Sequence, residues 1–272
     1  MLGLISSPIA KLGNKAHKSS ERLDEVLYGS SVEILNEENS YFYIKSFYHY
    51  KGYVKKEDVT LIKRPINHIH EYNGILVKHF VDILDQPNVK SLPIISLPRG
   101  SYIKIIPEDI ENGFQAVELI NKQKGYIKKD CFRYRNILNR IQNEDILRKN
   151  LVSNAMMYLG SQYRWGGKTI LGIDCSGLCH MSYLLTEMHI CRDAILNNEL
   201  INQYHMRRIN KEDLKMGDLI YTPGHIMMYI GNEQYIHSSS ITSGVTINSL
   251  QEDNSNYISK YAQNITDCVT LF

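Results

Sequence analysis

The sequence has few cysteines, no long apolar run and no large excess of one charge. Its 272 residues include five scattered cysteines, an odd number that argues against a disulfide framework and leaves room for a working thiol. No window approaches about 18 consecutive apolar residues, so neither a spanning helix nor a membrane partner is expected. The 31 basic and 29 acidic residues give a net charge of +2, which disfavours a nucleic-acid partner.

The amino terminus does not have the pattern of a secretory signal. In the stretch MLGLISSPIAKLGNK the apolar run is shorter than a signal peptide requires. We therefore predict a cytoplasmic protein. A chain from which a signal had already been removed would show the same pattern and would be secreted.

The first half of the chain predicts β-structure. Residues 1–135 carry short runs of Val, Ile and Tyr between turn residues, with almost no helical period. The segment KGYVKKED at 51–58 recurs as KGYIKKD at 124–130. A repeated closing segment predicts two copies of one small all-β barrel, the first over residues 1–65 and the second over 66–135.

The second half, residues 136–272, has a different pattern. Helical spacing indicates one helix that is capped by Asn143 and ended by Gly160, and a second helix that follows Cys175. After Gly217 the period drops to two, and four strands are predicted at 218–222, 225–230, 234–238 and 245–248. Helices followed by an antiparallel sheet indicate an α+β domain.

Cys175 is the strongest candidate for chemistry. It lies in the segment Asp174-Cys-Ser-Gly177, where a turn leads into the second helix. Unpaired backbone N–H groups at a helix start favour negative charge, which predicts a lowered thiol pKa and a place for a developing oxyanion. A thiolate with such donors is half of an acyl-transfer site.

Two histidines supply a candidate base and its orienting partner. His225 and His237 each lie six residues from Gly231. In a hairpin that turns near this glycine, the two rings face each other or nearly so, because cross-strand neighbours lie about 5 Å apart. His225 would take the thiol proton while His237 fixes its ring and tautomer. A register slip of one residue would turn one ring away.

The other cysteines do not predict a metal site. Cys179 and His180 give the spacing Cys-x-x-x-Cys-His rather than the usual Cys-x-x-Cys, and no second cysteine pair follows. We therefore predict no metal and no cofactor, and we interpret Cys179 as a residue that packs its helix against neighbouring elements. Cys131, Cys191 and Cys268 have no partner at a useful spacing and are interpreted as structural.

Five ordered motifs from about residue 145 to the end of the chain resemble the NlpC-type cell-wall peptidases, a papain-like cysteine peptidase family. They are YRWGG at 163–167, DCSGL at 174–178, MGDL at 216–219, HIMMYIG at 225–231 and IHS at 236–238. The resemblance implies that Cys175 is the nucleophile, His225 the base and His237 the third polar residue. It also implies that Tyr163 lines the site beside the nucleophile and that Ser176 contributes to substrate binding.

The whole layout resembles a narrower group within that family. The two β-rich blocks are similar to bacterial SH3-like domains, although Tyr53 replaces the usual Trp of the closing Gly-Trp pair. Two such domains before a peptidase domain resemble the γ-D-glutamyl-L-diamino acid endopeptidases of murein recycling. That resemblance implies cleavage of murein-derived tri- or tetrapeptides with a free N-terminal L-Ala, and gives no reason to expect an obligate protein partner.

A free ammonium group needs a carboxylate partner, because a blocked substrate would leave a buried carboxylate unpaired. The segment Cys191-Arg-Asp193 resembles the family's Pro-Arg-Asp segment, so Asp193 is one candidate carboxylate, although Ala194 replaces the usual following Ser. In the first SH3-like block, Glu21 is the second candidate and Tyr50 is a candidate wall of the pocket.

Three other functions fit parts of the sequence. The first is a secreted cell-wall hydrolase or lysin that uses the SH3-like domains as wall anchors. The second is a binding module with an inactive peptidase fold, which is disfavoured because the nucleophile and both histidines are present. The third is a related thiol acyltransferase or amidase.

Overall fold

The computed structural model describes residues 1–64, 68–135 and 143–272. The chain divides into two compact units, Met1–Arg140 and Ile141–Phe272. The predicted boundaries at 65–66 and 135–136 fall on residues outside the described ranges or directly beside them, so the three-domain division stays a prediction. Within the described ranges, none of the helices combines the length and the hydropathy that a bilayer crossing requires.

The first unit contains two antiparallel sheets of seven strands each. The strands are β1 Leu2–Ile5, β2 Ile9–Gly13, β3 Arg22–Leu27, β4 Ser31–Glu38, β5 Tyr41–Ser46, β6 Lys51–Lys55 and β7 Val59–Ile62 in the first sheet, and β8 Gly74–Leu76, β9 Phe80–Leu84, β10 Pro93–Pro98, β11 Tyr102–Glu111, β12 Phe114–Glu118, β13 Lys124–Lys128 and β14 Phe132–Tyr134 in the second. The first sheet has the order β3-β2-β6-β5-β4-β1-β7 and the second β10-β9-β13-β12-β11-β8-β14. Each strand number in the second sheet is seven larger, so the two blocks share one topology.

The glycine of the repeated Lys-Gly-Tyr segment has the same packing role in both sheets. A Cβ added at Gly52 would lie 2.8 Å from the Leu12 side chain on β2, and one added at Gly125 would lie 2.4 Å from Ile83 on β9. Only glycine lets β6 and β13 approach these neighbours so closely. The repeat seen in the sequence therefore records a repeated steric requirement.

Short helical segments and two hydrogen bonds between the sheets complete the first unit. These segments are α1 His68–Glu71 and the single 3₁₀ turns Lys56–Asp58 and Lys129–Cys131. The two sheets are hydrogen-bonded through Tyr28, whose carbonyl accepts from the N–H of Tyr102 at 2.9 Å and whose hydroxyl accepts from the N–H of Ile120 at 2.7 Å. In both blocks the 3₁₀ turn lies at the end of the repeated segment.

The second unit has the predicted α+β architecture. Its helices are α2 Glu144–Met156, α3 Cys175–Leu184, α4 Asn198–Gln203 and α5 Ser259–Ala262, and its strands are β15 Lys168–Thr169, β16 Gly172–Ile173, β17 Arg207–Ile209, β18 Leu219–Thr222, β19 His225–Gly231, β20 Gln234–Ser239, β21 Gly244–Ser249 and β22 Asp267–Thr270. The main sheet has the order β17-β22-β18-β19-β20-β21, and α3 packs on α2, β19 and β20. With the all-β sheets before it, this unit confirms the predicted fold class.

The helix predictions are confirmed in place and corrected in detail. Asn143 caps α2 as predicted, by accepting the N–H of Asp145, and Leu151 on this helix is buried. The predicted end at Gly160 is wrong, because α2 ends at Met156 and Leu159 lies beyond it and is exposed. All ten residues of α3 are buried, because neighbouring elements cover this helix on every side.

A buried ion pair joins α2 to the sheet. Arg148 donates to Asp218 at 2.8 Å, to the carbonyl of Met216 at 2.9 Å and to the hydroxyl of Thr270 at 3.1 Å. Glu144, one turn earlier on α2, accepts from the same guanidinium at 2.8 Å. These bonds satisfy a charge that would otherwise be costly to bury.

Candidate active site

Asp174 holds the start of the helix that carries Cys175. It is the N-cap residue of α3, and one of its carboxylate oxygens accepts the N–H of Gly177 at 2.6 Å. The other oxygen accepts the N–H of Gly166 at 2.7 Å. Asp174 therefore fixes the turn and the helix start on either side of the nucleophile, as N-cap carboxylates do.

Arg192 holds Asp174 in turn. Its guanidinium donates to both carboxylate oxygens of Asp174 at 3.0 Å and to the hydroxyl of Ser176 at 2.7 Å. Its side chain is only 1% exposed, so this bidentate ion pair is shielded from water. Ser176 thus bonds inside the protein, and its predicted part in substrate binding stays a prediction. In the sequence, Arg192 is marked only as the middle residue of the Cys191-Arg-Asp193 segment.

The thiol of Cys175 is buried and lies against backbone donors. It receives the N–H groups of Ile226 and Ser176, and Ile226 directly follows His225. Burial, reinforced by the charge of Asp174, raises the pKa of Cys175 to about 11. The predicted lowering is therefore wrong in direction, because loss of hydration outweighs the helix start and its donors.

The hairpin β19–β20 brings the two histidines together. His225 Nε2 lies 2.8 Å from His237 Nδ1, within hydrogen-bonding distance. Met228 pairs with Ile236, a register that puts the two histidines on a diagonal of one face rather than directly opposite each other. The alternate-residue period preserves the shared face, so the predicted contact forms.

Both rings are buried and held in their uncharged form. Burial and the neighbouring His237 lower the pKa of His225 to about 3, and burial lowers the pKa of His237 to about 4. Near neutral pH the site therefore contains a thiol beside neutral imidazoles. Transfer of the thiol proton to His225 would accompany attack rather than precede it.

Two further residues, neither of them predicted from the sequence, contact the histidines. Tyr261 on α5 stacks on the His225 ring, with centroids 4.3 Å apart and an interplanar angle of 21°. Its hydroxyl bonds to Ser239 Oγ at 2.6 Å. Asn248 on β21 lies 3.2 Å from His237 Nε2 through its amide oxygen. No sequence motif marks either residue, since only the strand register and the short helix α5 bring them here.

Tyr163 and Asp193 lie in the same unit as the nucleophile. Tyr163 is half-buried, and its pKa is raised to about 12 by burial and then by the neighbouring Cys175 and Asp174. Asp193 is half-buried and directly follows Arg192. The structure thus brings Tyr163 near Cys175, while the role of Asp193 stays a prediction.

Glu21 and Tyr50 lie in the first unit. Glu21 is exposed and accepts a hydrogen bond from the side-chain amide of Asn14 at 3.3 Å. Tyr50 is half-buried against the core of the first sheet. Asp24 in this block is a fully buried carboxylate that accepts from the Tyr48 hydroxyl, and it was not predicted. The predicted substrate contacts of Glu21 and Tyr50 stay predictions.

The remaining cysteines are free thiols. Cys179, Cys191 and Cys268 are buried, and Cys131 is half-buried. In the parts of the chain that the structure describes, no group of three or more His, Cys, Asp and Glu side chains is arranged to hold a metal ion. The groups that form the candidate site are the thiol of Cys175 and the imidazoles of His225 and His237.

Comparison with known proteins assigns this arrangement to a family. Residues 160–265 match the model of the NlpC/P60 family. The chain is 33% identical over 276 residues to a dipeptidyl-peptidase 6 of Lysinibacillus sphaericus, which covers all of both proteins. It is 28% identical to a γ-D-glutamyl-L-lysine dipeptidyl-peptidase of Bacillus cereus over 63% of this chain and 47% of that protein. The crystal structure of a B. cereus NlpC/P60 family protein superposes with a TM-score of 0.80 at 19% identity, over 98% of each chain. The chain thus belongs to the NlpC/P60 family, the peptidoglycan-related cysteine peptidases.

Proposed function

We propose that this peptidase hydrolyses the bond between the γ-carboxyl of D-glutamate and the L-diamino acid in short murein peptides with a free N-terminal L-Ala. The observation that carries the proposal is the buried contact between His225 and His237 beside the helix start at Cys175. The name of the B. cereus dipeptidyl-peptidase supports the bond that is cut. A free L-Ala amino group marks a peptide that is no longer joined to the glycan through that nitrogen, and on this ground we place the role in the recycling of released peptides, in the cytoplasm.

In the proposed mechanism, Cys175 attacks the γ-carbonyl carbon while its proton passes to His225. The sulfur–carbon bond forms, and the carbonyl oxygen becomes an oxyanion near the N–H of Cys175, which as the first helical residue has no acceptor within α3. His237 orients His225 and stabilises the imidazolium that forms. The C–N bond then breaks, and His225 returns the proton to the leaving amine.

The second half of the cycle reverses these roles. The thioester that links Cys175 to the γ-carboxyl of D-glutamate is attacked by water, whose proton His225 removes. The C–S bond breaks, the thiol regains its proton, and L-Ala-γ-D-Glu leaves. A carboxylate that pairs with the L-Ala ammonium would hold the substrate in register, and Asp193 and Glu21 are the proposed candidates.

The test compares four peptides: L-Ala-γ-D-Glu-L-Lys, its diaminopimelate analogue and the N-acetylated form of each. We expect free diamino acid from both unblocked peptides and at least about 100-fold less from the blocked ones, because blocking leaves a carboxylate unpaired. Release is followed by mass spectrometry. Asp193→Asn should raise KM about tenfold or more, whereas Glu199→Gln, at an exposed position on α4, should leave KM unchanged.

Efficient cleavage of the acetylated peptides would contradict the free-terminus requirement. Combined with strong pelleting on purified cell walls, that result would favour the secreted wall hydrolase instead. Absence of product from all four peptides would refute the proposed reaction.

A further inference from the structure

Asn248 is the third side chain in a line of hydrogen bonds that starts at His225 and passes through His237. The line runs from His225 Nε2 to His237 Nδ1 at 2.8 Å, and from His237 Nε2 to Asn248 Oδ1 at 3.2 Å. His237 is fully buried and Asn248 is 6% exposed, so neither bond competes with bulk water. Bonds in such surroundings are costly to lose.

The orientation of the Asn248 amide is set by its other partners. Its nitrogen lies 2.6 Å from the backbone carbonyl of Asn256, which can only accept, so this end must be the NH₂ group. The opposite end is then the oxygen, which also accepts from the hydroxyl of Thr246 at 2.7 Å. The atom that faces His237 is therefore an acceptor.

The protons on both imidazoles follow from that acceptor. His237 must carry its proton on Nε2 to donate to Asn248, which leaves Nδ1 bare in the neutral ring. His225 Nε2 must then be the donor across the 2.8 Å contact with that bare nitrogen. In the neutral His225 ring, Nδ1 is left without a proton, and this is the nitrogen available to act as a base.

We propose that Asn248 is a positioning residue that fixes the tautomers of His237 and His225, so that His225 presents a bare Nδ1 as the base for the thiol. This proposal rests on the proposed roles of Cys175 and His225. Without the amide oxygen, His237 is free to move its proton to Nδ1. It would then repel the Nε2–H of His225 and favour the tautomer that cannot take the thiol proton.

Other ionisable groups near the two rings could also affect the pH profile of activity. Those that face His225 are His237 on β20, Tyr261 and Lys260 on α5, and the thiol of Cys175 through the neighbouring N–H of Ile226. Tyr235 and Tyr261 contact the ring of His237 edge-on. None of these groups changes in the variants below, so a shifted pH profile would report on position 248.

The direct experiment reads the tautomers by ¹⁵N NMR of the histidine side chains at pH 7. We expect Nε2–H on both His225 and His237 in the wild type. In Asn248→Leu, which has similar volume and no acceptor, we expect Nδ1–H to be populated on both rings. We also expect kcat on L-Ala-γ-D-Glu-L-Lys to fall at least about 100-fold with KM within about twofold, because a histidine in the wrong tautomer cannot act as the base.

Two variants separate this role from a loss of folding. Asn248→Asp keeps an acceptor in place, and its negative charge should raise the pKa of His237. It should therefore retain Nε2–H on His237, move the acid limb of kcat/KM to higher pH and recover activity on the alkaline side, which Asn248→Leu should not do. Thr246→Val removes a hydrogen bond to the same oxygen and should leave tautomers and kcat unchanged.

Either of two results would overturn the proposal. One is Nδ1–H on His225 or His237 in the wild type, which needs no variant. The other is wild-type tautomers and kcat within about threefold in folded Asn248→Leu. If the murein peptides are not cut at all, the proposed function fails, whereas the wild-type tautomers still decide the role of Asn248.

Discussion

Two buried Arg–Asp pairs brace the catalytic unit, and they differ in what lies beside them. Arg148 joins α2 to Asp218 beside the start of β18, and its bonds also reach Glu144 and Thr270. Arg192 joins the segment after α3 to Asp174, which caps that helix. Both guanidinium groups are well shielded from water, and both carboxylates also accept backbone N–H groups.

The difference shows that a buried Arg–Asp ion pair can stabilise the fold at one position and affect the reactive thiol at another. Asp174 is adjacent to the nucleophile, and its charge raises the pKa of Cys175 whereas that of Arg192 lowers it. Arg192 therefore offsets a carboxylate that would otherwise oppose thiolate formation. For the Arg148 pair, no such effect on Cys175 is found, so we interpret it as a brace alone.

The largest expected effect comes from breaking each pair with methionine. Arg192→Met and Arg148→Met should each lower the free energy of unfolding by about 3–5 kcal/mol, because each leaves a buried carboxylate uncompensated. Only Arg192→Met should lower kcat/KM of the folded protein, by about 100-fold or more, and shift alkylation of Cys175 to higher pH. Urea titration and iodoacetamide rates between pH 6 and 10 check both.

Matched behaviour of the two variants would erase the distinction. If Arg148→Met shifted the alkylation profile as far as Arg192→Met, proximity to the thiol would not explain the effect. An unshifted profile in both would show that Arg192 acts on the fold only.

A smaller effect is expected from the pH dependence of stability, because the two histidines, unlike the ion pairs, are buried in their uncharged form. Because the pKa values of His225 and His237 are lowered to about 3 and about 4, the unfolded chain takes up protons below its usual pKa of about 6.5 while the folded chain does not. The contribution of the neutral histidines to the free energy of unfolding is therefore fully present above about pH 7 and decreases as the pH drops toward 4. We expect a loss of about 1–2 kcal/mol per histidine between pH 7 and pH 5.

Urea titrations at the two pH values measure this loss. His225→Gln should reduce it by about one histidine's share, while Lys55→Gln, in an exposed ion pair, should leave it unchanged. An equal loss in wild type and His225→Gln would show that this ring is not buried uncharged.

The sequence predicted the elements that carry local signals. The Asn143 cap, the Cys175 helix start and the β19–β20 hairpin are each marked by neighbouring residues. The repeat of Lys-Gly-Tyr predicted two copies of one β-structure, and the two sheets share one topology in which the glycine of each repeat packs against a neighbouring strand with no room for a side chain.

What escaped prediction depends on distant contacts. Asn248 and Tyr261 reach the histidines only after β21 and α5 have packed, so neither lies at a spacing that a motif could reveal. The pKa of Cys175 was predicted in the wrong direction because the helix start is visible in sequence, whereas the burial that outweighs it is a property of the packed fold.

The central claim is that one of the five thiols acts with His225 on a murein peptide bond. The most direct measurement is release of L-Lys from L-Ala-γ-D-Glu-L-Lys by the wild type, Cys175→Ser and Cys268→Ser, the last replacing another buried thiol. We predict full release by the wild type and Cys268→Ser, and at least about a thousandfold less by Cys175→Ser, because removal of an acyl-transfer nucleophile abolishes most of the catalysis. Release by Cys175→Ser at a rate near that of the wild type would contradict the account.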